Sequence, residues 1–199
     1  MPTELRFIAI LVSLDRDRQN VKRLLLLSGP MASGKTSVSS ALQEFYGFVP
    51  ISSGSFLRAH LVSKGEPLDR HNLQELGDSF DKATDFSWLI ESVANPTIQT
   101  RPDVENWLLD AVRKPRQVEL FRLRFGEAVK HVHIIAPEPV LERRYAERSA
   151  TSLNEYRNDV LHPNEQSARS LSGFADKILE TDRYTPSQIA DEIMGIWEM

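Results

Sequence analysis

Gly29-Pro30-Met31-Ala32-Ser33-Gly34-Lys35-Thr36 sets two glycines, a lysine and a hydroxyl at the spacing G-x-x-x-x-G-K-[ST], the P-loop pattern. Each residue type has a chemical reason to be there. Glycines let successive backbone N–H groups turn inward around a phosphate chain, and a lysine adds a mobile charge for the outer phosphates. The hydroxyl of Thr36 can join the shell of a Mg²⁺ ion. Ser37 lies in the first turn of the helix that must follow, whose positive dipole end is aimed at the anion. The flanks agree with the motif: Leu24 to Leu27 is an apolar run fit for a buried strand. Val38, Ala41, Leu42 and Phe45 recur at i, i+3, i+4, i+7 after it, as an amphipathic helix requires.

Further groups with chemistry stand beyond other apolar runs. Phe48 to Ser52 reads as a second strand and leads into Ser53-Gly54-Ser55-Phe56-Leu57-Arg58. There Gly54 permits close backbone approach, and Arg58 can fork onto a phosphate. Val104 to Asp110 reads as a third strand that closes on a carboxylate, with Arg113 three residues later. An acidic residue at that place can orient the Mg²⁺ shell of a P-loop enzyme. Val129 to Ala136 is a strand in which His131 and His133 alternate with apolar residues; with no third ligand nearby they read as plain strand residues. In the helix opened by Pro137, Arg144 and Arg148 lie at i, i+4 and share a face that one polyanion can meet.

Taken together, these segments resemble the adenylate-kinase-like nucleoside and nucleotide monophosphate kinases, of the P-loop NTPase superfamily. The similarity runs from Leu24 onward with a gap in the middle third. The family's Ser-Thr-Gly-Asp-x-x-Arg type segment matches at Gly54 and Arg58, with Ser53 for the Thr and Ser55 for the Asp. Its Asp-Gly-x-x-Arg type segment matches at Asp110 and Arg113, one residue tighter in spacing and with Ala111 for the Gly. Its Pro-x-x-x-x-x-x-Arg-x-x-x-Arg stretch matches at Pro137, Arg144 and Arg148. The resemblance implies ATP and Mg²⁺ as cofactors. Gly29 through Ser37 would bind the donor, Thr36 and Asp110 the metal, and Ser53, Gly54, Arg58 and Arg113 the acceptor phosphate. Lys35, Asp110, Arg113, Arg144 and Arg148 would serve transfer. His162-Pro163-Asn164-Glu165 is faintly similar to deoxynucleotide and phosphomevalonate kinase relatives.

The elements that position these groups alternate strand and helix, so the expected fold is α/β: a doubly wound P-loop sheet of about five parallel strands, helices on both faces, and a short lid. In such a sheet, ligands sit outside the carboxyl ends of the strands, which is where the groups above fall. Residues 1–20 read as an N-terminal extension, an edge element or tail, and 21–199 as the kinase domain. Residues 149–163, polar and without helical periodicity, read as the lid, with Arg157 near phosphate on closure. Gly65 to Asn95 reads as mainly helical core, Pro96 to Asp103 as a loop, Ala175 to Thr181 as the last strand. Ile189, Ile193, Ile196 and Trp197 form the inner face of a closing helix.

With 199 residues, 41% of them hydrophobic, and a net charge of −4, the chain suits one globular core and not a general nucleic-acid binder. The Leu5 to Leu14 run is too short to span a bilayer, so no membrane partner is expected. The absence of cysteine excludes disulfides and thiolate chemistry and fits a reducing cytoplasm. The expected partner is a small-molecule nucleotide. The expected reaction is transfer of the ATP γ-phosphoryl group to a nucleoside monophosphate or similar phosphorylated molecule. The alternatives are a kinase for another anionic metabolite and a nucleotide-binding switch without an acceptor. No Asn-Lys-x-Asp guanine-reading segment is present, and Leu171-Ser172-Gly173-Phe174 lacks the second glycine of an ABC signature.

Overall fold

A computed structural model describes residues 21–149 and 153–198. The extension 1–20, residues 150–152 of the expected lid and residue 199 lie outside them. In chain order the elements are β1 (Arg23–Ser28), α1 (Lys35–Tyr46), β2 (Val49–Pro50), α2 (Ser53–Lys64) and α3 (Arg70–Thr84). A π-helical segment (Leu89–Ala94), α4 (Asn95–Gln99), β3 (Asn106–Leu109), α5 (Pro115–Phe125) and β4 (Val129–Ile135) follow. The chain closes with α6 (Glu138–Ser149), α7 (Leu153–Val160), α8 (Pro163–Ser170), β5 (Lys177–Glu180) and α9 (Pro186–Met194).

The strands form one sheet in the order β2-β3-β1-β4-β5, and every pairing is parallel. The leucine run explains why β1 is central. Leu24 and Leu26 enter one core with Trp107, Val118 and Phe121, while Leu25 and Leu27 enter the other with Val38, Leu42, Ile189 and Ile193. Successive strand residues point to opposite faces, so a strand covered on both sides must be apolar throughout. Each fully buried leucine contributes about 2 kcal/mol through the surface it removes from water. Helices then start where side chains can cap them: Ser52 Oγ accepts the Ser55 N–H at 3.1 Å, and Asp69 Oδ1 accepts the Asn72 N–H at 2.8 Å.

Four local expectations change. Pro96 does not open a loop; it stands in the first turn of α4, where the missing N–H is not needed. Leu153–Val160, inside the expected lid, is helical. Phe45 is exposed, because the buried face of α1 runs through Val38, Ser39, Ala41 and Leu42, and its neighbour Tyr46 turns inward to bond Asp191 of α9. Finally α9 stops at Met194, and Trp197 sits in a separate 3-10 turn with its indole N–H on the Ala128 carbonyl. No helix among the described residues is long and apolar enough to cross a membrane.

Candidate active site

The loop after β1 is built for an anion. Gly29, Ala32 and Gly34 all take positive φ, at 147°, 60° and 97°. A Cβ on Gly29 would lie 2.3 Å from the Ile134 carbonyl oxygen, so only glycine lets the loop leave the sheet this close to β4. Gly34 begins α1 with no side-chain cap and no acidic residue in the first turn, which leaves that helix start open to an external anion. Ser33 Oγ is sealed from solvent without a partner among the described residues. Lys35 Nζ lies back on its own loop, donating to the Gly29 and Pro30 carbonyls at 2.7 and 2.8 Å. These features fit a polyphosphate. A cavity of about 650 Å³ runs from Met31 to Val38 along this loop.

Arg144 borders that cavity, and it is anchored there. Its guanidinium donates to Thr181 Oγ1 and to the Thr181 carbonyl, both at 2.8 Å. Thr181 Oγ1 in turn donates to the Ser33 carbonyl at 2.7 Å. Thr181, just past β5, therefore ties the loop to α6, a role the sequence reading did not give it. The signal was available, since Thr181 stands at the carboxyl end of a strand like the other site residues. Arg148 follows one turn after Arg144 in α6.

Beneath the loop, β1 and β4 share a buried polar cluster. Ser28 Oγ lies 2.7 Å from His131 Nε2 and 2.8 Å from His133 Nδ1, and His131 Nδ1 lies 3.1 Å from the Phe174 carbonyl. A carbonyl can only accept, so His131 carries its proton on Nδ1, Ser28 donates to Nε2, and His133 Nδ1–H donates to Ser28. Burial pushes the His133 pKa down to about 4, with the charges of His131 and Lys35 acting the same way. Among the described residues no group of three His, Asp or Glu could hold a metal, so these histidines stand as structural strand residues.

A second cavity, about 420 Å³, is lined by Ser53, Gly54, Arg58, Arg113 and residues of α3. Arg58 folds back over Gly54, where a Cβ would lie 3.1 Å from Nη1. The backbone that presents Arg113 is clipped by Gln117, whose Oε1 accepts the N–H groups of Arg113 and Lys114 at 2.9 and 3.2 Å. Gln117 Nε2 donates to Asp81 at 3.2 Å. Solvent reaches Arg113 through the cavities it lines, but protein surrounds it. That desolvation lowers its pKa, the charge of Arg70 adds to the effect, and Glu165, Asp78 and Asp81 oppose it. The guanidinium stays charged and is exposed at the walls of both cavities, where it is suited to an anion.

Between the two lies a smaller cavity of about 160 Å³. It shares Met31 and Lys35 with the first and Arg70, Gln74, Arg113 and Asn164 with the second. Asp110 opens onto this middle space, while Thr36 lines the loop cavity and Lys35 borders both. The structure sets Thr36 and Asp110 on the walls of different cavities; a Mg²⁺ held by them would supply charge neutralisation to bound phosphates.

The roof of the middle cavity comes from α7 and α8. Glu165 Oε1 accepts the Met31 backbone N–H at 2.8 Å and Arg169 Nε at 3.2 Å. Arg169 also donates to Glu138 at 2.9 Å, and Tyr156 Oη donates to Glu138 at 2.6 Å. Burial opposes ionisation of Glu138, but the bonds from Arg169 and Tyr156 hold its pKa below the usual range. Two further bridges reach α3: Arg70 to Asp159 at 2.7 Å, and Asn164 Nδ2 to Asp78 at 3.2 Å. His162 caps α8 through Nδ1. Sequence reading missed Glu165, Arg169 and Asn164 as site residues: Glu165 and Arg169 share a face of α8, but the Met31, Glu138 and Asp78 partners that make them a roof are far away in the chain.

Comparison with known proteins agrees with the geometry. No family model matches the chain. Human adenylate kinase isoenzyme 5 is 27% identical over 139 residues, 69% of this chain and 24% of that protein. A cytidylate kinase from Methanocella arvoryzae is 43% identical over 63 residues, 31% of this chain and 36% of that protein. The chain thus spans about a quarter and about a third of these relatives. The protein is adenylate-kinase-like, with the P-loop fold. Among solved structures, the APS kinase CysC of Mycobacterium tuberculosis superposes with a TM-score of 0.57 at 16% identity, over 90% of this chain and 99% of that one. TT1252 from Thermus thermophilus gives 0.55 at 18%, over 90% and 98%. At such identities the likeness is one of fold, and it matches the five-stranded parallel sheet of this adenylate-kinase-like chain.

Proposed function

We propose that this protein transfers the γ-phosphoryl group of ATP to a nucleoside monophosphate. The observation that carries the reading is the continuity of three cavities. A loop cavity fit for a polyphosphate and a cavity lined by Arg58 and Arg113 meet through a middle space bounded by Lys35, Asp110 and Arg113. An ATPase needs only the first. A transfer enzyme needs two anions facing each other with water kept out.

In this reading the loop amides and Lys35 bind the donor phosphates, with Lys35 leaving its carbonyl contacts for the outer ones. Arg58 and Arg113 bind the acceptor phosphate. Thr36 and Asp110 hold Mg²⁺, which would neutralise charge on the transferring group when bound. Residues 149–163, together with α8, act as the lid; Arg144, at the loop cavity, and Arg148, one turn on in α6, serve the transferring group. The acceptor is already an anion, so its attack asks for no general base.

The test is consumption of ATP, with Mg²⁺, against a panel of ribo- and deoxyribonucleoside monophosphates and phosphorylated metabolites. At least one monophosphate should raise turnover, and Lys35→Ala should lower it by more than about a hundredfold. Acceptor-independent hydrolysis alone would instead support the switch reading.

A further inference from the structure

Arg70 belongs to none of the matched motifs, yet it stands where the two halves of the site meet. It lines the middle cavity with Lys35, Asp110 and Arg113, and it lines the acceptor cavity as well. Gln74, one turn on in α3, borders the same two spaces. A group moving from donor to acceptor therefore passes this end of α3.

Helix stability does not explain an arginine there. Arg70 is the first residue of α3, whose first turn holds no acid, and a cation at a helix start opposes the dipole. Its partner is placed against its own helix in the same sense. Asp159 lies in the last turn of α7, where a carboxylate is unfavourable. Arg70 Nη1 donates to Asp159 Oδ2 at 2.7 Å, and Tyr145 Oη donates to the same oxygen at 2.8 Å. The Arg70 side chain is 62% exposed, so the pair adds little to stability. What it does is keep a guanidinium at the middle cavity, which Asp159 also borders.

The wall of that cavity balances its own charge. Lys35, Arg70 and Arg113 share its lining with Asp110, Asp159 and Glu165, and the last two of these carboxylates belong to the roof helices. Arg70 is also near enough to Arg113 that, after burial, its charge does most to lower the Arg113 pKa. Two neighbouring guanidiniums gain from an anion between them. In the transfer step a lone pair of an acceptor phosphate oxygen forms the new P–O bond to the γ phosphorus. The bond from that phosphorus to the β–γ bridging oxygen breaks, its electron pair leaves with ADP, and no proton moves. Charge is spread meanwhile over the three outer oxygens of the moving group, which a further cation can stabilise.

We propose that Arg70 is a catalytic residue of this transfer: with both nucleotides bound it leaves Asp159 and forks onto the moving phosphoryl group. The proposal rests on the phosphoryl-transfer reading above. It adds a cation from the helix that lines the acceptor cavity, released by a carboxylate of the roof.

The monophosphate with the highest turnover in the panel above serves as acceptor in the test. Arg70→Ala should lower kcat about a hundredfold with the ATP KM little changed, and Arg70→Lys, a point charge without the fork, should recover part of the loss. Asp159→Asn frees the guanidinium and removes a carboxylate, so kcat/KM should rise about two- to threefold. Calorimetric binding of ADP, Mg²⁺ and aluminium fluoride, a mimic of the phosphoryl group in transfer, gives a measurement without turnover when the same acceptor is present. Arg70→Ala should weaken it about a hundredfold and leave ATP binding nearly unchanged. Similar losses of activity and of urea midpoint in Arg70→Ala and Asp159→Asn overturn the inference and leave a structural bridge. So does a kcat for Arg70→Ala within about threefold of the wild-type value. If the wild-type protein accepts no monophosphate, the phosphoryl-transfer reading fails first, and this inference falls with it.

Discussion

Glu165 Oε1 and the Met31 backbone N–H lie 2.8 Å apart, which puts a carboxylate from α8 against the loop meant for phosphates. The contact has two consequences. It satisfies a loop N–H and draws the roof onto the loop, and in the proposed reading it sets a carboxylate, paired with Arg169, beside the loop that would hold the donor phosphates. The roof is thus held by an anion that a nucleotide bound as proposed would meet.

The first prediction concerns that charge. Glu165→Gln keeps an oxygen to accept the Met31 N–H and removes the repulsion. The variant should therefore bind a non-hydrolysable ATP analogue about three- to tenfold more tightly, the effect of one partly screened charge at short range. Calorimetric titration measures it. Weaker binding would show that the carboxylate helps to build the donor site.

Asp110 carries the second. It opens onto the middle cavity beside Lys35 and Arg113, and among the described residues no acidic or histidine cluster offers itself in its place for a metal. Asp110→Asn should raise the Mg²⁺ concentration needed for half-maximal turnover by about tenfold or more while leaving ATP binding without metal little changed. An unaltered Mg²⁺ dependence would remove Asp110 from the metal shell.

Gln117 allows the third, because it holds the Arg113 loop without facing the donor. Its amide accepts two backbone N–H groups and donates to Asp81. Gln117→Leu leaves those groups without a partner and should cost about 1–3 kcal/mol of stability. With Arg113 no longer fixed, the acceptor KM should rise several-fold more than the ATP KM. Arg113→Ala should produce the same division in stronger form. Equal effects on both substrates in either variant would contradict the assignment of Arg113 to the acceptor.

How far the sequence told this story follows the reach of its signals. The P-loop, the leucine strand and the carboxyl-end positions of Asp110 and Arg113 were readable because each depends on a short local pattern and a topology with few alternatives. The roof was not, since Glu165, Asn164 and Arg169 acquire partners up to 134 residues away in the chain and the helix α7 is a short, polar one in which Tyr156 is buried. The middle third stayed silent for a related reason. Asp78 and Asp81 belong to no sequence motif, and their partners Asn164, Trp88 and Gln117 meet them only in the folded chain. Phe45 shows the converse, where a correct helical period gives the wrong face near the end of the helix.

The buried histidines give the last prediction, on stability. Ordinary histidine titrates near 6.5, whereas His133 is held down to about 4 by burial, by His131 and by Lys35. Burial also lowers the His131 pKa, against the bond to the Phe174 carbonyl; Arg122 adds to the lowering and Asp176 opposes it. A depressed folded pKa means that the unfolded chain binds the proton first, so stability is complete above about 6.5 and is lost as pH falls toward 4. For His133 the loss amounts to a few kcal/mol over that interval, because the buried charged ring is cut off from water, with His131 and Lys35 adding to the cost. His133→Asn keeps a donor near the Nδ1 position and cannot titrate. Urea midpoints measured from pH 7 to pH 4.5 should therefore fall more steeply in the wild-type protein than in His133→Asn, and parallel curves would show that His133 does not charge on unfolding in this range.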